Sequence, residues 1–341
     1  MLRRFLPFLP LLLAPALAAA PAVAQPAADT LAAVRARGQV ICGVTPNTVG
    51  FATPDSRGDW RGLDADYCRA VAAAALGDPN KVRFVPTSAQ TRFTALQSGE
   101  VDLLSRATTW TLAREASLGL EFAGVNYYDG NAFMVHRRLG VDSATKLDGA
   151  TVCVQPGSTT ELNVGDYFRR NNMRLNPVAI ENLEELRSTF AAGRCDAYAS
   201  DTSTLAAFRV GMGDAGRDYV LLPEVFSKEP LGPAVRKGDW RWFDLVRWTH
   251  FALLTAEELN ITQANVAEAV NSANPDVQRF AGRSGGLGTM LGVSDDWAVR
   301  VISAVGNFGE IWERNITPTG MPRGVNRLWN QGGLMYAPPM R

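Results

Sequence analysis

The chain has 341 residues, 46% hydrophobic and 20% charged, which is ordinary globular composition at a length that suggests roughly two domains. Its 34 Lys and Arg balance 34 Asp and Glu, so there is no bulk charge to attract nucleic acid or a membrane surface. Two histidines, with no G-x-S-x-G and no H-E-x-x-H, leave little material for a hydrolase.

The first segment, "MLRRFLPFLPLLLAPALAAAPAVAQ", places Arg3 and Arg4 before a proline-broken apolar run that ends in Ala22-Val23-Ala24. It reads as a cleavable signal peptide over 1–24, too short and too interrupted for a membrane anchor. Loss of Arg3 and Arg4 leaves 32 basic against 34 acidic residues, a mature charge of −2. Export puts the four cysteines in an oxidising compartment, where an even number suggests disulfides. Three pairings are open, and four free buried thiols are the alternative; the spacing favours Cys42–Cys68 and Cys153–Cys195. No C-x-x-C occurs, and His136 and His250 lie far from the cysteines, so no metal and no cofactor are expected.

Short apolar strands then alternate with helical patterns, the signature of α/β architecture. "VICGV" (40–44) reads as a strand, and 64–76 as a helix opened by Asp64. "KVRFVP" is a strand, "AQTRFTALQSG" a helix stopped by Gly99, and "VDLLS" a strand. A second unit begins near residue 146: "TVCVQ" is a strand, "TTELNVGDYFRRN" a helix, "NPVAIE" a strand, "NLEELRSTFAAG" a helix and "CDAYAS" a strand. "FTALQSGEVDLLSRATT" and "STFAAGRCDAYASDTST" share one design, which suggests two similar lobes. "GMGDAG" (211–216) follows a helix and precedes a strand, the reverse of a dinucleotide site, and reads as a loop. Beyond about residue 225 long helices follow, 239–259 with a tryptophan cluster that reads as packing rather than a ligand cage, and one amphipathic helix after Ser294.

Ligands of open α/β sheets bind at the carboxyl ends of strands, where four polar turns stand: 45–47, 106–109, 156–161 and 200–203. The helix start at Ser158, Thr159 and Thr160 favours a negative group through its free amides. Arg114 can grip a carboxylate with its planar fork, and Asp201 can accept from an ammonium. Thr109 can offer its amide to the carboxylate and its hydroxyl to the amine, and Thr159 a further amide. Together they would complement the head of an α-amino acid. Spacing alone equally allows Arg114 to pair with Glu115 or Glu121 and Asp201 merely to cap the following helix.

The order "GLDADYC", "RFTALQSGEVDLL", "SRATTWTLARE", "VCVQPGSTTELN", "GRCDAYASD" and "SKEPLGPAVR" resembles the periplasmic solute-binding proteins of polar amino acid ABC transporters, over essentially the whole mature chain. It is most similar to the branch that binds L-amino acids generally, or glutamate, glutamine, aspartate and asparagine. The resemblance implies an α/β type II periplasmic binding fold: two α/β lobes joined by a two-segment hinge, with the ligand in the cleft. Lobe 1 would be discontinuous, 25–131 and 228–341, lobe 2 would be 135–224, and the hinge would run near 130–134 and 223–227. It also implies a periplasmic monomer that delivers its ligand to an inner-membrane permease and has no enzymatic role; the runner-up is a cyclohexadienyl dehydratase-like lyase on the same fold. By motif, Arg114 matches the carboxylate-binding arginine, Thr109 the residue touching both ends of the ligand head, Asp201 the ammonium acceptor and Thr159 the amide donor. Two positions depart from the family. Thr48 stands where an aromatic residue often stacks on the ligand, and Ala107 where the nearest branch would have Asn. Arg92 and Arg106, and also Thr160, are candidates for side-chain specificity; the two arginines would favour an acidic ligand or else serve a supporting role.

Overall fold

A computed structural model describes residues 29–341. The expected signal peptide lies outside the described residues. Two five-stranded sheets organise the chain. The first runs in the order Val82–Pro86, Val40–Val44, Leu103–Leu104, Ala234–Arg236, Leu120–Phe122. Its first three strands are parallel and Ala234–Arg236 is antiparallel to both neighbours. The second runs Asn176–Ala179, Thr151–Val154, Ala197–Asp201, Asn131–His136, Tyr219–Leu221. Again the first three strands are parallel and the fourth is antiparallel to both neighbours. The echo between the two sequence units is therefore a shared topology.

The chain passes between the sheets twice. Tyr127–Asp129 and Glu229–Leu231 pair antiparallel at these passages, with Glu229 opposite Asp129. The first expected hinge segment, 130–134, overlaps the strand Asn131–His136 of the second sheet, which is buried as far as Val135 and pairs with neighbours on both sides.

Both expected disulfides are present. Cys42–Cys68 ties a strand of the first sheet to the helix Leu63–Leu76, with a Cα–Cα distance of 6.1 Å. Cys153–Cys195 spans 5.7 Å within the second half.

The helix Leu63–Leu76 buries Ala70, Val71 and Ala72–Ala75, and small side chains there let the helix Trp297–Val305 approach closely. Trp242 of the helix Trp240–Glu258, Trp297 and Trp312 are fully buried in this core, which supports the packing reading of the tryptophans. Trp242 Nε1 donates to the Asp102 carbonyl at 2.9 Å, which satisfies its polar edge. The single helix expected after Ser294 is two, Trp297–Val305 and Phe308–Asn315. Gly306, at φ +78°, breaks it, and Asn307 restarts it through a capping box with Glu310. Gly213–Asp218 is a short 3-10 turn, as the loop reading of "GMGDAG" requires.

His250 lies on the core side of the helix Trp240–Glu258, 2% exposed, and burial holds its imidazole down to about 4. An unfolded chain takes up that proton near the ordinary value of 6.5, so the contribution of this histidine to stability falls as pH drops from about 6.5 through 4. The expected loss is about 3 kcal/mol, and His250→Phe flattens this part of the stability curve; urea titrations of both proteins at pH 7, 5.5 and 4 measure it.

Candidate functional site

The facing edges of the two halves enclose a cavity of about 60 Å3. Its wall includes Thr48, Arg92, Arg106, Ala107 and Thr109 from the first half, and Ser158, Thr159, Thr160 and Asp201 from the second. Of the ten residues singled out in the sequence, only Arg114 is not part of this wall. It lies directly behind it, 7% exposed, with Nη1 donating to the Thr109 carbonyl at 2.8 Å and its guanidinium 5.1 Å from the centre of the Phe93 ring. The surface-pair alternative is not realised: Glu115 instead accepts from Trp110 Nε1 at 2.8 Å.

Local geometry explains how each side chain arrives. The strand Leu103–Leu104 ends in the turn 105–109, and Thr109 bridges to Leu231 of the crossing ribbon. Thr111 then caps the helix Leu112–Ser117, which carries Arg114. Ala107 has φ +42°, a left-handed conformation that β-carbon crowding disfavours. Its amide donates to Asp64 Oδ2 at 2.9 Å, and Ser105 Oγ donates to Asp64 Oδ1 at 2.9 Å. Asp64 is thus not the helix cap it was taken for; Gly62 occupies that position. It is a buried anchor for the turn, and burial lifts its carboxyl to about 6. In the second half, Ser158 caps the helix Thr159–Arg170 by accepting from Glu161 N at 3.1 Å. Gly157, at φ +74°, lets this loop approach Gln90 across the cleft; a β-carbon there would sit 3.0 Å from Gln90 Cγ.

The cavity is bordered by opposed charges. Arg92 is 3% exposed; among the described residues its Nε has no hydrogen-bond partner, and its one side-chain bond is Nη2 to the Gly157 carbonyl at 3.3 Å. Arg106 donates from Nε to the Thr87 carbonyl at 3.0 Å. Among the described residues neither these two arginines nor Arg114 is in an ion pair. Burial lowers all three guanidiniums, Arg92 far below its ordinary value and Arg106 to about 10. Across the cavity stands Asp201, and outside its wall Asp129 and Glu229 face each other on the crossing ribbon. Asp201 opens the helix Thr202–Gly211 but makes no side-chain cap bond; its Oδ1 accepts from Asn131 Nδ2 at 2.8 Å. Burial, then the neighbouring Asp129 and Glu229, push its carboxyl well up. Asp129 is raised to about 6, mainly by burial.

Two polar residues at the site escaped the sequence reading. Asn163 donates to Glu229 Oε1 at 2.7 Å and to Asn131 Oδ1 at 2.8 Å. It lies one helical turn after Thr159, so helical periodicity would have placed both on one face. Glu229 accepts from Thr109 and Thr159, residues 120 and 70 positions away, and no local pattern marks it.

Residues 40–265 match the bacterial extracellular solute-binding proteins, family 3. The chain belongs to this family. It is 54% identical to the general L-amino acid-binding periplasmic protein AapJ of Rhizobium johnstonii, over 92% of this chain and 93% of that one. It is equally 54% identical to the glutamate/glutamine/aspartate/asparagine-binding protein BztA of Rhodobacter capsulatus, over 92% and 94%. Among solved structures, an ABC transporter periplasmic binding protein from Brucella ovis with glutathione bound superposes with a TM-score of 0.90 at 54% identity, covering 92% of this chain and all of that one. The chain has the type II periplasmic binding fold, with the two mixed sheets described above, as its match to the Brucella ovis structure shows. Among the described residues no helix is long and apolar enough to cross a membrane.

The left-handed Ala107 accounts for the asparagine expected there, since Asn tolerates this conformation better than Ala does. Ala107→Asn should raise unfolding stability by about 1 kcal/mol while changing ligand affinity little, which denaturant titration and calorimetry check in parallel.

Proposed function

We propose that this protein is the periplasmic binding component of an ABC importer, that it takes up free L-amino acids by closing its two lobes, and that it passes them to an inner-membrane permease without chemical turnover. One observation carries this reading: buried guanidiniums on one half face a half-buried carboxylate, Asp201, on the other, across one cavity. A zwitterion offsets both. In this reading the ligand carboxylate meets Arg114 and the amides of Thr109 and Thr159, and its ammonium meets Asp201, removing the cause of that carboxyl's upward shift. Lobe 1 would comprise 25–131 and 228–341 and lobe 2 135–224, with the hinge near 130–134 and 223–227. Contacts at the cleft mouth, Ser88 Oγ to Glu181 Oε1 at 2.7 Å and Arg187 Nη1 to the Asn47 carbonyl at 2.7 Å, support a closed state. The signal peptide supports export, and the names of AapJ and BztA support the ligand class.

Arg92 and Arg106 in the wall support a preference for acidic or amide side chains. Glutathione deserves inclusion as a ligand because its γ-glutamyl end carries the same free α-carboxylate and α-amine, and the Brucella ovis neighbour holds it. A lyase role would need an acid or base in the cleft besides Asp201, and the two neighbouring carboxylates are already engaged. Glu229 has four donors on its two oxygens, and Asp129 is engaged by the amides of Gly130 and Ser203.

Calorimetric titration of refolded, ligand-stripped protein against the twenty L-amino acids and glutathione tests the reading. Binding of at least one is expected, with about 2.7 kcal/mol of added stability at 100-fold above Kd; no heat and no thermal shift with any of them overturns it. Arg114→Ala and Asp201→Asn should each weaken binding about 100-fold or more, and near-normal affinity in either rejects that residue's role. Arg92→Ala should weaken glutamate and aspartate more than alanine, read from the same titrations.

A further inference from the structure

Glu229 lies outside the cavity wall yet touches both halves of the molecule. It is 1% exposed on the strand Glu229–Leu231. Its Oε2 accepts from Thr109 Oγ1 at 2.6 Å and from Thr159 Oγ1 at 2.8 Å. Its Oε1 accepts from Asn163 Nδ2 at 2.7 Å and from Ser227 Oγ at 2.8 Å. A carboxylate offers four lone-pair sites and has no proton to give, so each of the four partners is the donor. A threonine hydroxyl owns a single proton. Both threonine protons are therefore committed to Oε2, and the 3.2 Å contact between Thr109 Oγ1 and Thr159 Oγ1 holds none. These two oxygens can offer the cavity only lone pairs.

On the amino acid reading above, we propose that Glu229 is a positioning residue which turns Thr109 and Thr159 into acceptors for the ligand's primary ammonium. The three N–H bonds of that ammonium then meet three acceptors: Asp201, Thr109 Oγ1 and Thr159 Oγ1. Thr109 comes from one half of the cleft and Thr159 and Asp201 from the other, so the amine completes its set only when the halves are together. The ligand class is an unblocked primary α-amine. An α-hydroxy acid brings one donor to three acceptors, and an N-acetyl amino acid brings one donor and excess bulk. Leaving a buried acceptor unmatched is what makes such a site discriminate.

Glu229→Gln tests this. The amide of Gln can donate to one threonine oxygen, which releases that hydroxyl proton to point into the cavity. Wild type, Glu229→Gln and Thr159→Val are titrated with the tightest-binding L-amino acid and with its α-hydroxy and N-acetyl analogues, and melting curves confirm folding. The ratio of Kd for the α-hydroxy analogue to Kd for the amino acid should fall about 10- to 100-fold in Glu229→Gln and in the same direction in Thr159→Val. A merely structural role would weaken all ligands alike and leave that ratio unchanged; an unchanged ratio in a folded variant overturns the proposal. If Glu229→Gln fails to fold, the ratio in Thr159→Val decides by the same criterion. Wild type that binds no amino acid overturns the amino acid reading and this proposal with it, whereas wild-type binding with an unchanged ratio in the variants overturns only the role of Glu229.

Discussion

Charge removed from water has to be answered by charge, and the cleft is organised around that requirement. Arg92, Arg106 and Arg114 are buried on one side with carbonyl oxygens as partners, the half-buried Asp201 stands across the cavity, and Asp129 and the buried Glu229 lie on the crossing ribbon. An uncompensated buried charge costs several kcal/mol, and a neutral backbone carbonyl offsets only part of that. The core pays this cost from elsewhere: the alanine-rich helix Leu63–Leu76 against Trp297–Val305, with Trp242 and Trp312 around them, lies in the half that carries the arginines. Stability is thus concentrated away from the cleft, and the cleft is left with electrostatic demands that the protein alone does not meet.

The repeated topology gives those demands their geometry. Each half is a five-stranded sheet with three parallel strands and an antiparallel fourth, each has a disulfide, and each turns polar loops from its strand ends toward the other. The sheets and disulfides hold the loops of each half in place, and two crossing passages join the halves. The ribbon that pairs Glu229 with Asp129 puts carboxylates at this junction, within reach of hydroxyls from both sides. Residues 266–341 lie beyond the family match and pack on the first half, contributing Trp297, Ile302, Ile311 and Trp312 to its core.

Much of this was legible in the chain. Alternating strands and helices, Gly99 at a helix stop and Ser158 at a helix start follow from local rules, and the structure has each of them. Nine of the ten singled-out site residues line one cavity because strand ends and helix starts of a parallel sheet must converge on one edge. The misreadings have a common cause. Asp64 looked like a cap because local sequence shows an acid before an apolar helix; that it anchors the turn at Ala107 depends on a fold-back of 43 positions. The helix after Ser294 looked continuous because its apolar period survives Gly306, while the backbone there does not.

The sequence by itself determined the fold class, the family and the residue types available to hold a zwitterion, and favoured one of three disulfide pairings, because periodicity, turn chemistry and motif order are local and survive in one dimension. Only the tertiary structure decided which charges are left unanswered. Arg114 could have paired with Glu115, and Asp201 could have capped its helix; in the fold, Glu115 is taken by Trp110 and Asp201 by Asn131. Glu229 shows the same limit most plainly. Its four donors come from three segments between residues 109 and 227, and only the packing of two lobes on one ribbon brings them to a single carboxylate.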